Sequence, residues 1–334
     1  MTGPATIESA TLAADEALAA RVRARLDVVE RRLREEVRTA HPLLAQTSTH
    51  LISAGGKRFR PMLTLIAGEF GSAGASKVED AAVIVELTHL ATLYHDDVMD
   101  EAPLRRGEVS ANARWGNTVA ILTGDFLFAR ASNIAAGLGE AALHIQARTF
   151  ARAVEGQIAE TAGPAEGEDP VEHHLRTVAD KTGALIAICA QLGAMLADAP
   201  SPVVAAVHRY GEALGIAYQL SDDLIDIASE TGQSGKTPGT DLREGVHTLP
   251  VLLVLQAARP ADARLRELLS RDLTKARLHA EALRLLRAHP AMLEARKRLE
   301  DYIGEAKSAA STLPAGPPRD ALLALADFVH TRTG

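Results

Sequence analysis

The chain has 334 residues, 47% of them hydrophobic and 24% charged, a balance that excludes a disordered polymer and supplies the apolar surface of a large core. Only 3% are aromatic while Ala and Leu abound, which favours packed helices over sheets. The net charge of −7 gives no basic footprint for nucleic acid, and the single Cys189 excludes an internal disulfide or multi-cysteine metal site and suits a reducing compartment.

In chain order, Met1 to Ala20 carries Glu8, Asp15 and Glu16 without a basic start or apolar block, so it does not read as a secretion signal, and a cytoplasmic protein is expected. Helical spacing then predicts helices over Leu18–Thr39, Met62–Phe70, Val78–Asp100, Val119–Leu138, Leu143–Thr161, Val171–Leu196, Pro202–Ile227, Leu249–Ala258, Ala263–Leu269, Leu273–Ala288, Ala291–Leu313 and Arg319–Thr331. The charges of Leu18–Thr39 read as a solvated helix face, and the uncharged run Thr182–Ala197 is short for a membrane span and reads as core. The pattern is an all-α, multi-helix bundle without an internal domain boundary. Two irregular stretches interrupt it: Gly163–Pro170 is a plain polar connection, whereas Ser229–Gly245 holds four glycines and has the length of a functional loop.

Chemistry concentrates in three places. Asp96, Asp97 and Asp100 form a DDxxD cluster in which the first and last carboxylates share a helix face one turn apart. Asp222, Asp223 and Asp226 repeat that spacing behind a second apolar run. One such cluster alone reads as a solvated helix end, but two suggest a cage for hard Mg²⁺, which shares its coordination shell with substrate phosphate. The third place is basic: Gly55-Gly56-Lys57-Arg58-Phe59-Arg60-Pro61 sets three cations at a Gly-rich helix entry, and Arg105-Arg106 follows the first acidic cluster. Acidic and basic groups this close imply a polyanion bound with metals.

Taken in order, Gly55–Pro61, Glu86-Leu-Thr-His89, Asp96–Asp100 with Arg105-Arg106-Gly107, Lys181-Thr182, Gln219 with Asp222–Asp226, and Gly235-Lys236 before Gly239-Thr-Asp241 resemble the motif set of the trans-isoprenyl diphosphate synthases, the polyprenyl synthetase family. The resemblance covers about residues 50–250. It implies a single domain over 1–334, helices around a deep central cavity, a homodimer, and head-to-tail condensation of an allylic diphosphate with isopentenyl diphosphate using about three Mg²⁺ per site. It further implies that Asp96, Asp100 and Asp222 are the firmest metal ligands, with Asp97, Asp223 and Asp226 completing the cage, in part through water. Arg105, Lys181 and Lys236 would contact the allylic diphosphate, and Thr182 and Gln219 would steady the allylic cation. Lys57, Arg60, His89 and Arg106 would hold isopentenyl diphosphate. The loop Ser229–Gly245 is expected to act as a lid that excludes water.

One departure is Val246, which stands where many relatives carry a lysine after a Glu-Gly pair; Lys236 suffices there, His247 compensates, or that end of the site is weaker. Chain length is read from Ala91 and Thr92, one helical turn or roughly 5 Å beneath Asp96, and Thr88 another turn down, whose small side chains leave a tunnel open for a product of about C30–C50. A C15–C20 synthase is the alternative, and transient membrane contact would accompany release of a long product. A class I terpene cyclase would not need Lys57, Arg60 and Arg106 for a second diphosphate, and a non-catalytic subunit would not need both acidic clusters. His95, Asp125 and Gln157 are expected to support the site or the fold, and Trp115 to pack or to touch substrate.

Overall fold

Helix dominates, as the composition requires: the structure, a computed structural model, is 79% helical with almost no strand. It describes residues 6–72, 76–229 and 238–332. The elements in order are α1 (Ile7–Leu12), α2 (Glu16–Glu36), α3 (Pro42–Ser53), α4 (Phe59–Gly68), α5 (Ser76–Met99), β1 (Leu104–Arg105), β2 (Glu108–Val109), α6 (Ala111–Trp115), α7 (Asn117–Leu138), α8 (Glu140–Ala162), α9 (Pro170–Val178), a π-helical turn (Ala179–Gly183), α10 (Ala184–Leu196), α11 (Ser201–Ala228), α12 (Thr240–Glu244), α13 (Leu249–Ala257), a 3₁₀ turn (Pro260–Asp262), α14 (Ala263–Leu269), α15 (Ala276–Arg287), α16 (Ala291–Ser311) and α17 (Pro317–Thr331). The chain forms two compact units, one of residues Met1–Ala151, Leu185–Gly211 and Ala309–Leu325, the other of Arg152–Ala184, Glu212–Ser308 and Ala326–Gly334.

In the first unit α5 is the central element, packed on α2, α4 and α7. It is buried on every side from Ala81 to Thr88, which explains why that stretch, Glu86 and Thr88 apart, reads as apolar all round rather than as a stripe. The charges of α2 form in part the solvated face expected from sequence, with Arg21, Arg23, Asp27, Arg31, Arg34 and Glu35 exposed, and in part face the fold. Arg25 pairs with Glu79 at 3.1 Å and Glu69 at 3.6 Å, Arg32 with Asp80, and Glu30 with Arg58, so the helix is tied to α4, α5 and the turn before α4 by tertiary ion pairs. The hairpin β1–β2, with Leu104 opposite Val109, carries Arg105 and Arg106 back beside α5. Helix α7 is apolar yet only a third buried, and leaves Ile121 and Leu122 exposed.

In the second unit Asp169 caps α9, accepting from Val171 N at 2.8 Å, with Pro170 preset at the first helical position. The helix expected over Val171–Leu196 runs from Pro170 to Leu196, and a π-helical turn at Ala179–Gly183, not expected from sequence, divides it into α9 and α10. A single extra residue in the helical ladder does not disturb the apolar pattern enough to be seen in sequence. The stretch Ser229–Gly245, expected to be irregular, contains the short helix α12, and its residues 230–237 lie outside the described residues.

Candidate active site

The first unit holds the first acidic cluster and the basic set. Asp96 and Asp97 end α5 and Asp100 follows it, with Asp100 N donating to Asp96 O at 2.8 Å so that the helical geometry continues through the cluster. Asp100 is exposed and Asp96 half-buried. Asp97 is fully buried and accepts from Arg105 Nε at 2.5 Å. Burial raises its pKa above the usual carboxylate range, and Arg105 opposes that rise. The central aspartate therefore braces Arg105, one of the residues expected at the allylic diphosphate.

His89, two turns before Asp96, lies among cations. Burial first, and then Arg60, Arg106, Arg105 and Arg58, hold its pKa well below the ordinary histidine value. Lys57 is exposed, whereas Arg60 is half-buried with its Nε lacking a partner among the described residues. Arg106 donates to Leu51 O at 2.9 Å and to Gly55 O. Gly56 holds a positive φ of 145°, and a Cβ there would crowd the Arg106 guanidinium at 3.0 Å. Glu86, which opens the Glu86–His89 motif and has no role implied by the resemblance, is buried at 3% exposure and lies 2.8 Å from Arg58 Nη1. Its signal was available: it is the one charge in an otherwise apolar run from Ala81 to Leu87.

Near this set His95 faces Ile121 O at 3.1 Å and Asp125 at 3.4 Å, which gives Asp125 a supporting role on α7. Trp115 packs edge-on to His50, whose ring also meets Val109 O at 2.8 Å, so it buttresses the hairpin. Thr88 and Ala91 are buried, and Thr92 caps back onto His89 O at 2.8 Å.

The second unit holds the remaining residues. Thr182 Oγ1 donates to Gln219 Oε1 at 3.4 Å, and Gln219 Nε2 donates to Asp223 Oδ1 at 2.9 Å. Asp223 is 4% exposed, with His174 Nε2 3.7 Å from its other oxygen. As with Asp97, the central aspartate faces inward and fixes a neighbour, here the Gln219 amide. Asp226 accepts from the backbone of Thr240 at 3.1 Å and Asp241 at 3.2 Å, anchoring the start of α12. Asp222 pairs with Arg332, which also lies over the Tyr218 ring at 4.5 Å. Lys181 sits on the π-helical turn and donates to Glu160 on α8 at 2.5 Å, while Gln157 donates to the same carboxylate at 3.1 Å. Arg152 bridges Asp180 at 2.5 Å and Glu212 at 2.6 Å. Glu160, His174 and Arg152 carry no motif and were not visible in sequence. Lys236 lies outside the described residues; Val246 and His247 are exposed.

Among the described residues no three acidic or histidine groups close on a single ion. Asp96 with Asp100, and Asp222 with Asp226, instead form carboxylate pairs one turn apart, the second pair also held by Arg332 and by the start of α12. That donor set fits a hard divalent cation whose shell is completed by phosphate and water oxygens, and does not fit an all-protein cage.

The polyprenyl synthetase family model matches residues 41–286. Nonaprenyl diphosphate synthase from Mycobacterium tuberculosis is 46% identical over 335 residues, covering 100% of both chains. Among solved structures, geranylgeranyl pyrophosphate synthase from Corynebacterium glutamicum, complexed with calcium and isoprenyl diphosphate, superposes with a TM-score of 0.87 at 44% identity, over 96% of this chain and 99% of that one. A decaprenyl diphosphate synthase from Rhodobacter capsulatus gives 0.86 at 34%, over 96% and 99%. On the motifs, the fold and these likenesses, the chain belongs to the polyprenyl synthetase family.

Proposed function

We propose that this protein is a trans-prenyltransferase that condenses an allylic diphosphate with isopentenyl diphosphate, head to tail, into a medium- or long-chain polyprenyl diphosphate. One observation carries the reading: a single helix, α5, bears an acidic pair at its end and, about 10 Å or seven residues earlier, a histidine set among arginines. Two diphosphates with opposite needs are thereby served. The one that must leave requires metal, and the one that must stay intact requires only cations.

Asp96, Asp100 and Asp222 are the proposed Mg²⁺ ligands, with Asp226 contributing through water; Asp97 and Asp223 hold Arg105 and Gln219. The metal, about three ions per site, supplies charge neutralisation for the departing diphosphate. Arg105, Lys181 and Lys236 grip the same diphosphate. The Thr182 hydroxyl and Gln219 carbonyl present dipoles to the allylic cation, and Gln219 is fixed for this by its bond to Asp223. Lys57, Arg60, His89 and Arg106 orient isopentenyl diphosphate so that its double bond meets the allylic carbon. The released diphosphate then takes the final proton, which accounts for the lack of a dedicated general base in the motif set.

The small side chains at Thr88, Ala91 and Thr92, and the nonaprenyl and decaprenyl names of relatives, support the longer product. The exposed apolar face of α7 supports a homodimer, since monomers rarely leave such a patch uncovered. Product analysis after incubation with isopentenyl diphosphate, farnesyl diphosphate and Mg²⁺ tests the length: products of about C30–C50 are expected, because Ala91 and Thr92, one turn below Asp96, are small. A product that stops at C20 would contradict it. In the Ala91→Phe variant the distribution is expected to shift to shorter chains.

A further inference from the structure

A carboxylate leaves water only where cations repay the loss. Glu86, on the buried stretch of α5, has two: Arg58 Nη1 at 2.8 Å and Arg106 Nη2 at 3.7 Å. Both arginines have left-handed backbones, φ 45° at Arg58 and φ 55° at Arg106, a conformation non-glycine residues hold only where their surroundings fix it. They belong to different segments, Arg58 to the turn between Lys57 and Arg60, Arg106 to the β1–β2 hairpin. Each is tied further to the same stretch of backbone: Arg58 to Ile52 O at 3.0 Å, Arg106 to Leu51 O at 2.9 Å. Burial lowers the pKa of Arg106 and Glu86 is the leading group that opposes it; at Arg58 burial is more than offset by Glu30 and Glu86.

We propose that Glu86 is a positioning residue for isopentenyl diphosphate. Its buried carboxylate pins Arg106 directly and, through Arg58, the Gly55–Arg60 turn, so that Arg106, Lys57 and Arg60 meet the diphosphate already fixed. Cations held in place before binding lose less freedom when the ligand arrives, and the gain falls on one substrate only. The inference rests on the prenyl-transfer reading above.

The test compares wild type with Glu86→Gln, which keeps the shape and removes the charge. Calorimetry with isopentenyl diphosphate alone, without metal, is expected to show binding weakened about 10- to 100-fold, with a matching rise in its KM and a KM for the allylic diphosphate within about threefold of wild type. In an Arg106→Ala background the same substitution is expected to cost less than it does in wild type, because one of the groups it positions is gone while Arg58 and its turn remain. Undiminished affinity in Glu86→Gln, equal rises in both KM values, or full additivity with Arg106→Ala would each overturn the proposal. Should Glu86→Gln fail to fold, Glu86→Asp, which keeps the charge but withdraws it by one methylene, is expected to show the same one-sided loss at about 3- to 10-fold; a two-sided loss there overturns it equally. Wild type that fails to bind isopentenyl diphosphate would overturn the prenyl-transfer reading together with this one, so the two failures are distinguishable.

Discussion

At the residue scale the environment of His89 has a consequence for pH. With its folded pKa pushed below the ordinary value of about 6.5, the unfolded chain binds a proton in that window and the folded chain does not, so stability falls as pH drops below about 6.5. The loss continues until the lower folded pKa is reached. His89→Gln removes this linkage. Thermal unfolding from pH 7.5 to 5.5 is expected to lower the wild-type midpoint by about 2–5 °C more than that of the variant; equal shifts would show that the ring is not held neutral. The candidate site residues could be named from sequence because each DDxxD and basic turn is a local pattern. Which carboxylate turns inward could not, because burial of Asp97 and Asp223 depends on Arg105, eight positions on, and on the Gln219 amide.

At the scale of elements, most helices were legible because their apolar positions recur with helical period. Helix α3 was not: Thr47, Ser48 and Thr49 are weak helix formers, and it is held by tertiary contacts, with Thr47 O accepting from the buried Tyr94 hydroxyl at 2.5 Å and the Thr123 hydroxyl donating to that of Thr47 at 2.9 Å. The π-helical turn was hidden for the reason given above, yet it sets Lys181 and Thr182. Gly156 on α8 permits it, since a Cβ there would lie 2.7 Å from Lys181 N. An alanine in mid-helix ordinarily adds about 1 kcal/mol of stability over glycine. Here Gly156→Ala is expected to cost about 1–3 kcal/mol by denaturant unfolding and to lower kcat, since α8 and the turn must part. A variant as stable as wild type would show that the contact is slack.

For the whole molecule, the proposed homodimer is tested at α7, an apolar helix that presents Ile121 at 42% and Leu122 at 58% exposure. Glutamates at both positions are expected to convert a dimer to monomers at micromolar concentration, read by light scattering; a variant that stays dimeric would place the interface elsewhere. The central claim is that carboxylates of both acidic clusters hold the metal that draws a diphosphate off an isoprenoid carbon. Its most direct measurement is the rate of diphosphate release coupled to carbon–carbon bond formation, with and without Mg²⁺, in wild type, Asp96→Ala and Asp222→Ala. The expected result is no turnover without Mg²⁺ and a fall of about 10³-fold or more in each variant. Turnover that survives metal removal, or that either substitution leaves intact, would contradict the account.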